Sequence, residues 1–61
     1  MKMQTNMIGE TVGFLDKEGV DYKGVVRAVY QDKYDRLVFL VAHRDGNTRF
    51  FAVLAIDCWQ E

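Results

Sequence analysis

Alternating apolar and polar residues along the chain predict antiparallel β-strands. In residues 8–15, Val12 and Phe14 occupy alternate positions and are good strand formers. Residues 20–31 form the longest segment of this kind, and a glycine inside it, Gly24, predicts a bend or a close backbone approach. The face interpreted as the core face of this segment carries Tyr22, Gly24, Val26, Ala28 and Tyr30.

Two nearly continuous apolar segments predict a hairpin over residues 36–54. They flank Asp45-Gly46, and Asp-Gly between apolar segments is a strong mark of a two-residue turn. With these two residues at the tip, the predicted cross-strand pairs are His43 with Thr48, Val41 with Phe50, Phe39 with Ala52 and Leu37 with Leu54. The pairs predicted on the opposite face are Ala42 with Arg49, Leu40 with Phe51 and Val38 with Val53.

The connecting and terminal segments complete the outline. Residues 16–19, with Asp first and Gly last, predict a type I turn closed by a glycine bulge, and residues 31–35 form a polar connection. The tail, residues 55–61, fits either a closing strand or one helical turn. We favour the strand, with Ile56 and Cys58 inward.

The whole pattern predicts an all-β fold, a small antiparallel meander of four to five strands that closes into a barrel. Residues 1–7 show no periodicity and are interpreted as a flexible arm, and residues 8–61 as a single domain. The predicted core consists of Val12, Phe14, Tyr22, Val26, Leu37, Phe39, Val41, Phe50 and Ile56.

The second face of the predicted hairpin is the strongest indication of an interface. It carries Val38, Leu40, Phe51 and Val53, whereas a lone antiparallel sheet normally keeps one face polar. We therefore expect a partner to cover this face, most simply a second copy in a dimer, with a further protein partner also expected. Tyr30 and Tyr34 belong to the aromatic type enriched at binding hot spots and are added to the predicted interface.

Part of the chain resembles the Src-homology-3-like small barrels, which include Sm-like, Tudor-like and KOW-type modules. The spacing of the first Sm motif is matched by Gly19, Tyr22, Gly24, Val26 and Val29. The family's aspartate and asparagine of the uridine pocket fall on Tyr30 and Tyr34, and its apolar-Arg-Gly motif has no counterpart in residues 55–58. The resemblance thus implies the fold without implying RNA binding.

Composition argues against several kinds of chemistry. The 61 residues include one cysteine, Cys58, and one histidine, His43, which excludes an internal disulfide and a cysteine-based zinc site. The thiol lies in an apolar tail and nothing in the sequence brings it to the histidine, so no nucleophilic pair is predicted. We expect no catalytic residue, no metal site and no cofactor.

The charged residues decide between a protein-binding and a nucleic-acid-binding interpretation. Lys23, Arg27 and Arg49 are the candidates for binding single-stranded nucleic acid, or a small nucleotide between subunits. The 8 basic residues are balanced by 9 acidic ones, and phosphate binding depends on a net positive field, so nucleic acid is not favoured. No apolar run approaches the ~20 residues of a membrane span. We expect a cytoplasmic, non-enzymatic binding module, such as an adaptor, inhibitor or regulatory subunit, of a size common among phage and mobile-element accessory proteins.

Overall fold

The described part of the chain forms a five-stranded antiparallel sheet. The structure, a computed structural model, describes residues 7–45 and 47–61, with only the backbone of Asp45. The elements are β1 (Thr11–Leu15), β2 (Asp21–Gln31), β3 (Leu37–Asp45), β4 (Asn47–Leu54), a 3-10 turn (Ala55–Asp57) and β5 (Cys58–Gln60). Their order in the sheet is β4-β3-β2-β1-β5. The all-β antiparallel prediction is confirmed. The sheet is not closed, since β4 and β5 form its two edges.

The tail combines the two alternatives that its sequence left open. The 3-10 turn reverses the chain after β4, and β5 then pairs with β1, with Cys58 opposite Phe14. Cys58 packs against the core as predicted. The inward position predicted for Ile56 is wrong, because this residue lies within the 3-10 turn and is 89% exposed.

The turn between β1 and β2 has the predicted form. The Gly19 N–H donates to the Asp16 carbonyl at 3.0 Å, and the Asp16 N–H donates to the Val20 carbonyl at 3.0 Å. The Asp16 side chain accepts further bonds from the N–H groups of Glu18 and Val20. Gly19 has φ of 82°, the left-handed conformation that the glycine bulge requires.

The turn between β2 and β3 repeats this construction without a glycine. Asp32 bonds to the N–H groups of Tyr34 and Arg36 through its carboxylate, and its carbonyl accepts from the Asp35 N–H. Asp35 occupies the position that Gly19 holds in the first turn, with φ of 62°. A residue with a Cβ is strained in this region, although aspartate tolerates it better than most.

Replacing Asp35 with glycine is therefore expected to stabilise the protein by about 0.5–1 kcal/mol. The matched control is Gly19→Ala, where an added Cβ meets no atom within 4 Å, so only the positive φ opposes it. That change is expected to cost about 1 kcal/mol. Thermal unfolding of the two variants checks both signs, and a lower melting temperature for Asp35→Gly would contradict the account.

Gly24 marks a close backbone approach, as predicted. A Cβ at this position would overlap the Ala42 carbonyl oxygen and lie 2.7 Å from Val41 Cγ1. The bare glycine backbone thus lets β2 lie close against β3 at the centre of the sheet.

The predicted register of the β3–β4 hairpin is wrong by one residue. Val41 pairs with Phe51 and Phe39 with Val53, each one residue further along β4 than predicted. Gly46, on which that turn prediction rests, lies outside the described residues. A one-residue slip moves every side chain of a strand to the other face. Phe51 and Val53 therefore face the core, and Phe50 faces outward.

A bulge changes the faces of β2 in the same way. Its pairing with β3 shifts between Val26 and Ala28, with Arg27 as the extra residue. Val29, opposite Phe39, consequently joins the core face. The expectation that Ala28 and Tyr30 share the core face with Val26 is wrong.

The core lies on the inner face of the curved sheet. Its buried residues are Val12, Phe14, Val26, Phe39 and Val41, all of them predicted. Tyr22 and Leu37 are partly buried against it, and Met7, assigned to the arm by its sequence, also packs there. Phe50, predicted to be in the core, is 59% exposed, because the register shift turns it outward.

Candidate functional site

The inner face ends in an aromatic cluster capped by an arginine. The Phe51 ring lies 5.3 Å from Phe14 and 5.2 Å from Tyr22, and His43 meets Tyr22 edge-on at 4.9 Å. The Arg49 guanidinium lies over Tyr22 at 5.9 Å and over Phe51 at 5.5 Å. Beside the cluster, a cleft of about 830 Å³ opens between β4 and the β1–β2 turn. Arg49 thus has cation–π partners within its own chain, the rings of Tyr22 and Phe51.

The outer face of the sheet carries a continuous apolar surface across three strands, here called the outer patch. Its three cross-strand rows are Val25–Ala42–Phe50, Ala28–Leu40–Ala52 and Tyr30–Val38–Leu54. Phe50 is 59% exposed and Tyr30 39% exposed. The described residues include no α-helix or second sheet to cover the patch.

The β1 side of the same face is covered by the chain itself. Trp59 on β5 lies opposite Gly13 on β1, and a Cβ at Gly13 would overlap the indole ring. The Trp59 indole N–H donates to the Glu61 carboxylate at 2.6 Å, which holds the ring in place. Trp59 therefore lies on the outer face of β1, while Phe50 on β4 and Tyr30 on β2 stay exposed on the same face of the sheet.

The structure divides the predicted interface residues between the two faces. Leu40 and Tyr30 lie in the outer patch, whereas Phe51 and Val53 lie on the inner face. Val38 shares the outer face but is buried, at 6% exposure. On β4 the outer patch is formed by Phe50, Ala52 and Leu54, which the predicted register placed on the core face. The members of the patch that the sequence prediction missed are Val25, Ala28, Ala42, Phe50, Ala52 and Leu54.

Tyr34 lies beyond the patch, in the β2–β3 turn, and is 66% exposed. Its ring has the Lys33 ammonium at 5.2 Å and the Arg36 guanidinium at 5.0 Å. Arg36 also bonds the Asp32 carboxylate at 2.7 Å. Desolvation raises the pKa of Asp32, but the bonds from Arg36 and Tyr34 outweigh it and hold that pKa below its usual value. The ionised carboxylate therefore stabilises the folded protein above about pH 4, where unfolded aspartate is also ionised. This stabilisation is lost as the pH falls through the lowered pKa of Asp32.

Two arginines lie at the opposite end of the patch. Arg27, at the bulge, and Arg44, on β3, line a shallow outer cleft of about 310 Å³. The other residues that line it are Val25, Ala42 and Thr48. The patch is thus apolar at its centre and cationic at the end nearest the β3–β4 connection.

The three cations considered for nucleic acid do not converge. Lys23 pairs with Glu61 at 3.3 Å, Arg27 lies on the outer face, and Arg49 lies over inner-face rings. No cationic groove with a stacking platform is formed by these three residues.

The cysteine and the histidine have separate backbone partners. The Cys58 thiol donates to the Leu54 carbonyl at 3.6 Å, and His43 Nδ1 lies 2.8 Å from the Lys23 carbonyl oxygen. Desolvation, with the nearby charge of Asp57, raises the pKa of the Cys58 thiol, which keeps it protonated and weakly nucleophilic. Within the described residues, no cluster of three or more His, Cys, Asp or Glu could hold a metal ion.

Comparisons with known proteins give no relative from which a function could be proposed. The chain matches no protein-family model, no curated protein and no solved structure at a significant level. Among residues 7–45 and 47–61, no helix has the length and apolar character needed to cross a membrane. The outer patch is therefore the surface on which a functional proposal can be built.

Proposed function

We propose that this chain is a small non-enzymatic module that acts through protein–protein contact, and that the outer patch is its contact surface. The observation that carries the proposal is the set of exposed apolar side chains on this face, Phe50 at 59% and Tyr30 at 39%, with Leu40 and Leu54 partly exposed. Full burial of a large apolar side chain is worth about 1.5–3 kcal/mol. A domain of this size has little stability in reserve, so an uncovered face of this kind favours association.

The dimensions of the patch fit a modest interface. Three strands about 4.8 Å apart and three rows about 6.8 Å apart cover roughly 300 Å² of flat sheet. Two such faces with their side-chain relief bury on the order of 800 Å² in total, below the roughly 1,200–2,000 Å² of standard stable complexes. We therefore expect weak association, with a Kd in the micromolar range.

A second copy is the occupant that the patch fits best. A two-fold contact joins the same surface from both subunits, and both surfaces are then equally apolar. The middle row, Ala28–Leu40–Ala52, has small residues on either side of Leu40, with the larger Phe50 and Tyr30 in the outer rows. Small and large side chains that alternate in this way let two faces interdigitate. The resulting dimer is the form in which we expect the module to act as an adaptor, inhibitor or regulatory subunit.

Light scattering on purified protein tests this proposal. The wild-type mass is expected to rise from monomer toward dimer with concentration. Phe50→Glu should stay monomeric, since the dimer would bury its charge. Ile8→Glu is the matched control, because Ile8 is 48% exposed but lies outside the patch, and it should associate like the wild type. A monomeric wild type at high micromolar concentration would contradict the self-association.

The resemblance to Src-homology-3-like barrels stays a proposal about the fold. The meander order, the bulged β2 and the pairing of β5 with β1 support it. Binding of single-stranded nucleic acid is less well supported, since Lys23, Arg27 and Arg49 lie apart. A salt-dependent oligonucleotide binding assay separates the two functions. Tight binding that weakens with salt would replace the protein-contact proposal.

A further inference from the structure

The outer patch has two chemically different ends. At one end lie Arg27 and Arg44, which share a cleft. At the other end, beyond the row of Tyr30, Val38 and Leu54, lies the β2–β3 turn. The four charged residues of that turn, Asp32, Lys33, Asp35 and Arg36, sum to zero, and the exposed ring of Tyr34 lies among them.

Two copies that meet face to face about a two-fold axis through the centre of the patch have two aligned arrangements. If the axis runs along β3, the strands of the two copies are parallel and Arg44 faces the partner's Arg44. If the axis runs across the strands, they are antiparallel, and the arginine end of each copy faces the β2–β3 turn of the other. Aligned packing of this kind is one of the two standard geometries for stacked sheets.

We propose that the dimer packs with its strands antiparallel, and that the pair Arg27 and Arg44 selects this orientation. The inference rests on the proposed function, since it requires that the outer patch pairs with a second copy. The parallel arrangement gathers four guanidinium groups at one end of a desolvated interface, where like charges repel strongly. The antiparallel arrangement separates them: it places Arg44 over the Asp32–Arg36 ion pair of the other copy, whose net charge is zero, and Arg27 beside Tyr30 of that copy. Aromatic faces of this type attract guanidinium groups.

The two arrangements bring different alanines together. In the antiparallel dimer β4 faces β4, so Ala52, in the middle row, lies against its own copy. In the parallel dimer β3 faces β3 along its length, so Ala42 lies against its own copy. Leu40, at the centre of the patch, meets its own copy in both arrangements.

Cysteine cross-linking distinguishes these contacts. Leu40→Cys, Ala42→Cys and Ala52→Cys are each made in a Cys58→Ala background. Packed sheets lie about 10 Å apart, farther than the Cα separation that a direct disulfide allows, so a short bis-methanethiosulfonate reagent is used. Circular dichroism establishes that each variant is folded. We expect Leu40→Cys and Ala52→Cys to cross-link efficiently, and Ala42→Cys several-fold less.

The outcomes separate the two proposals. Cross-linking of Leu40→Cys with Ala42→Cys ahead of Ala52→Cys would overturn the antiparallel orientation and leave the outer-face dimer intact. Cross-linking of Leu40→Cys alone would also overturn it, in favour of crossed sheets. Failure of all three variants to cross-link would overturn the dimer itself. Ala52 is exposed, so its variant keeps the test valid if Leu40→Cys does not fold.

Discussion

Replacing Phe51 with glutamate is expected to unfold the protein, whereas the same replacement at the neighbouring Phe50 is expected to leave it folded. The centroid of the Phe51 ring lies 5.3 Å from that of Phe14 and 5.2 Å from that of Tyr22. The substitution therefore removes these ring contacts and places a carboxylate beside the two remaining rings. Phe51 is partly buried against the core, and loss of a packed phenylalanine costs about 3–5 kcal/mol, to which the partial desolvation of a carboxylate among the rings adds. At 0.05–0.15 kcal/mol per residue, a chain of 61 residues has a total stability of only about 3–9 kcal/mol.

Phe50 faces the other way and is 59% exposed, so a glutamate there remains hydrated in the monomer. Circular dichroism and urea unfolding of the two variants, at concentrations where the protein is monomeric, measure the difference. A Phe51→Glu protein that folds, together with a Phe50→Glu protein that does not, would show that the inner and outer faces of β4 are exchanged.

Phe39→Ala is expected to lower the free energy of unfolding by about 3–5 kcal/mol. Phe39 is 3% exposed and lies on β3 between Val29 of β2 and Val53 of β4, at the centre of the inner face. Removing the ring leaves a cavity that the surrounding strands cannot close without breaking their pairing. A change of this size is a large share of the total stability.

Equilibrium urea denaturation measures this loss, because a small single domain unfolds in one transition. Leu40→Ala is the control, since Leu40 is adjacent on β3 but lies on the outer face. It is expected to cost less than Phe39→Ala when both are measured as monomers. A loss below about 1 kcal/mol for Phe39→Ala would contradict the assignment of the inner face.

Features that depend on local residues could be predicted from the sequence. The strands follow from alternating apolar residues, and the β1–β2 turn follows from an aspartate three residues before a glycine, Asp16 and Gly19. The close approach at Gly24 follows from a glycine inside a strand pattern. In each case the signal lies in the identity of one or two residues at the position itself.

The register of β4 and the bulge in β2 could not be predicted, because the pattern of apolar residues does not determine them. Phe50 and Phe51 are adjacent and chemically identical, so either register buries a phenylalanine. The bulge at Arg27 likewise leaves valines on both sides of the shift, Val26 and Val29, in the core. Where both faces of a strand are apolar, turn length and cross-strand contacts decide the register.

The expectation of an uncovered apolar face survives these errors for the same reason. The register shift moves Phe51 and Val53 inward and brings Phe50, Ala52 and Leu54 outward, so the outer face stays apolar. The residues named from the sequence are therefore partly wrong, and a partner for the outer face stays a prediction.

Isotope-filtered NMR on a mixture of labelled and unlabelled wild-type protein tests the central claim, self-pairing through the outer patch, most directly. The account predicts intermolecular contacts from the Phe50 ring to the methyl groups of Leu54 in the other copy, because the antiparallel arrangement places these two positions of β4 face to face. No intermolecular contact from any patch residue at about millimolar concentration, well above a micromolar Kd, would contradict the account.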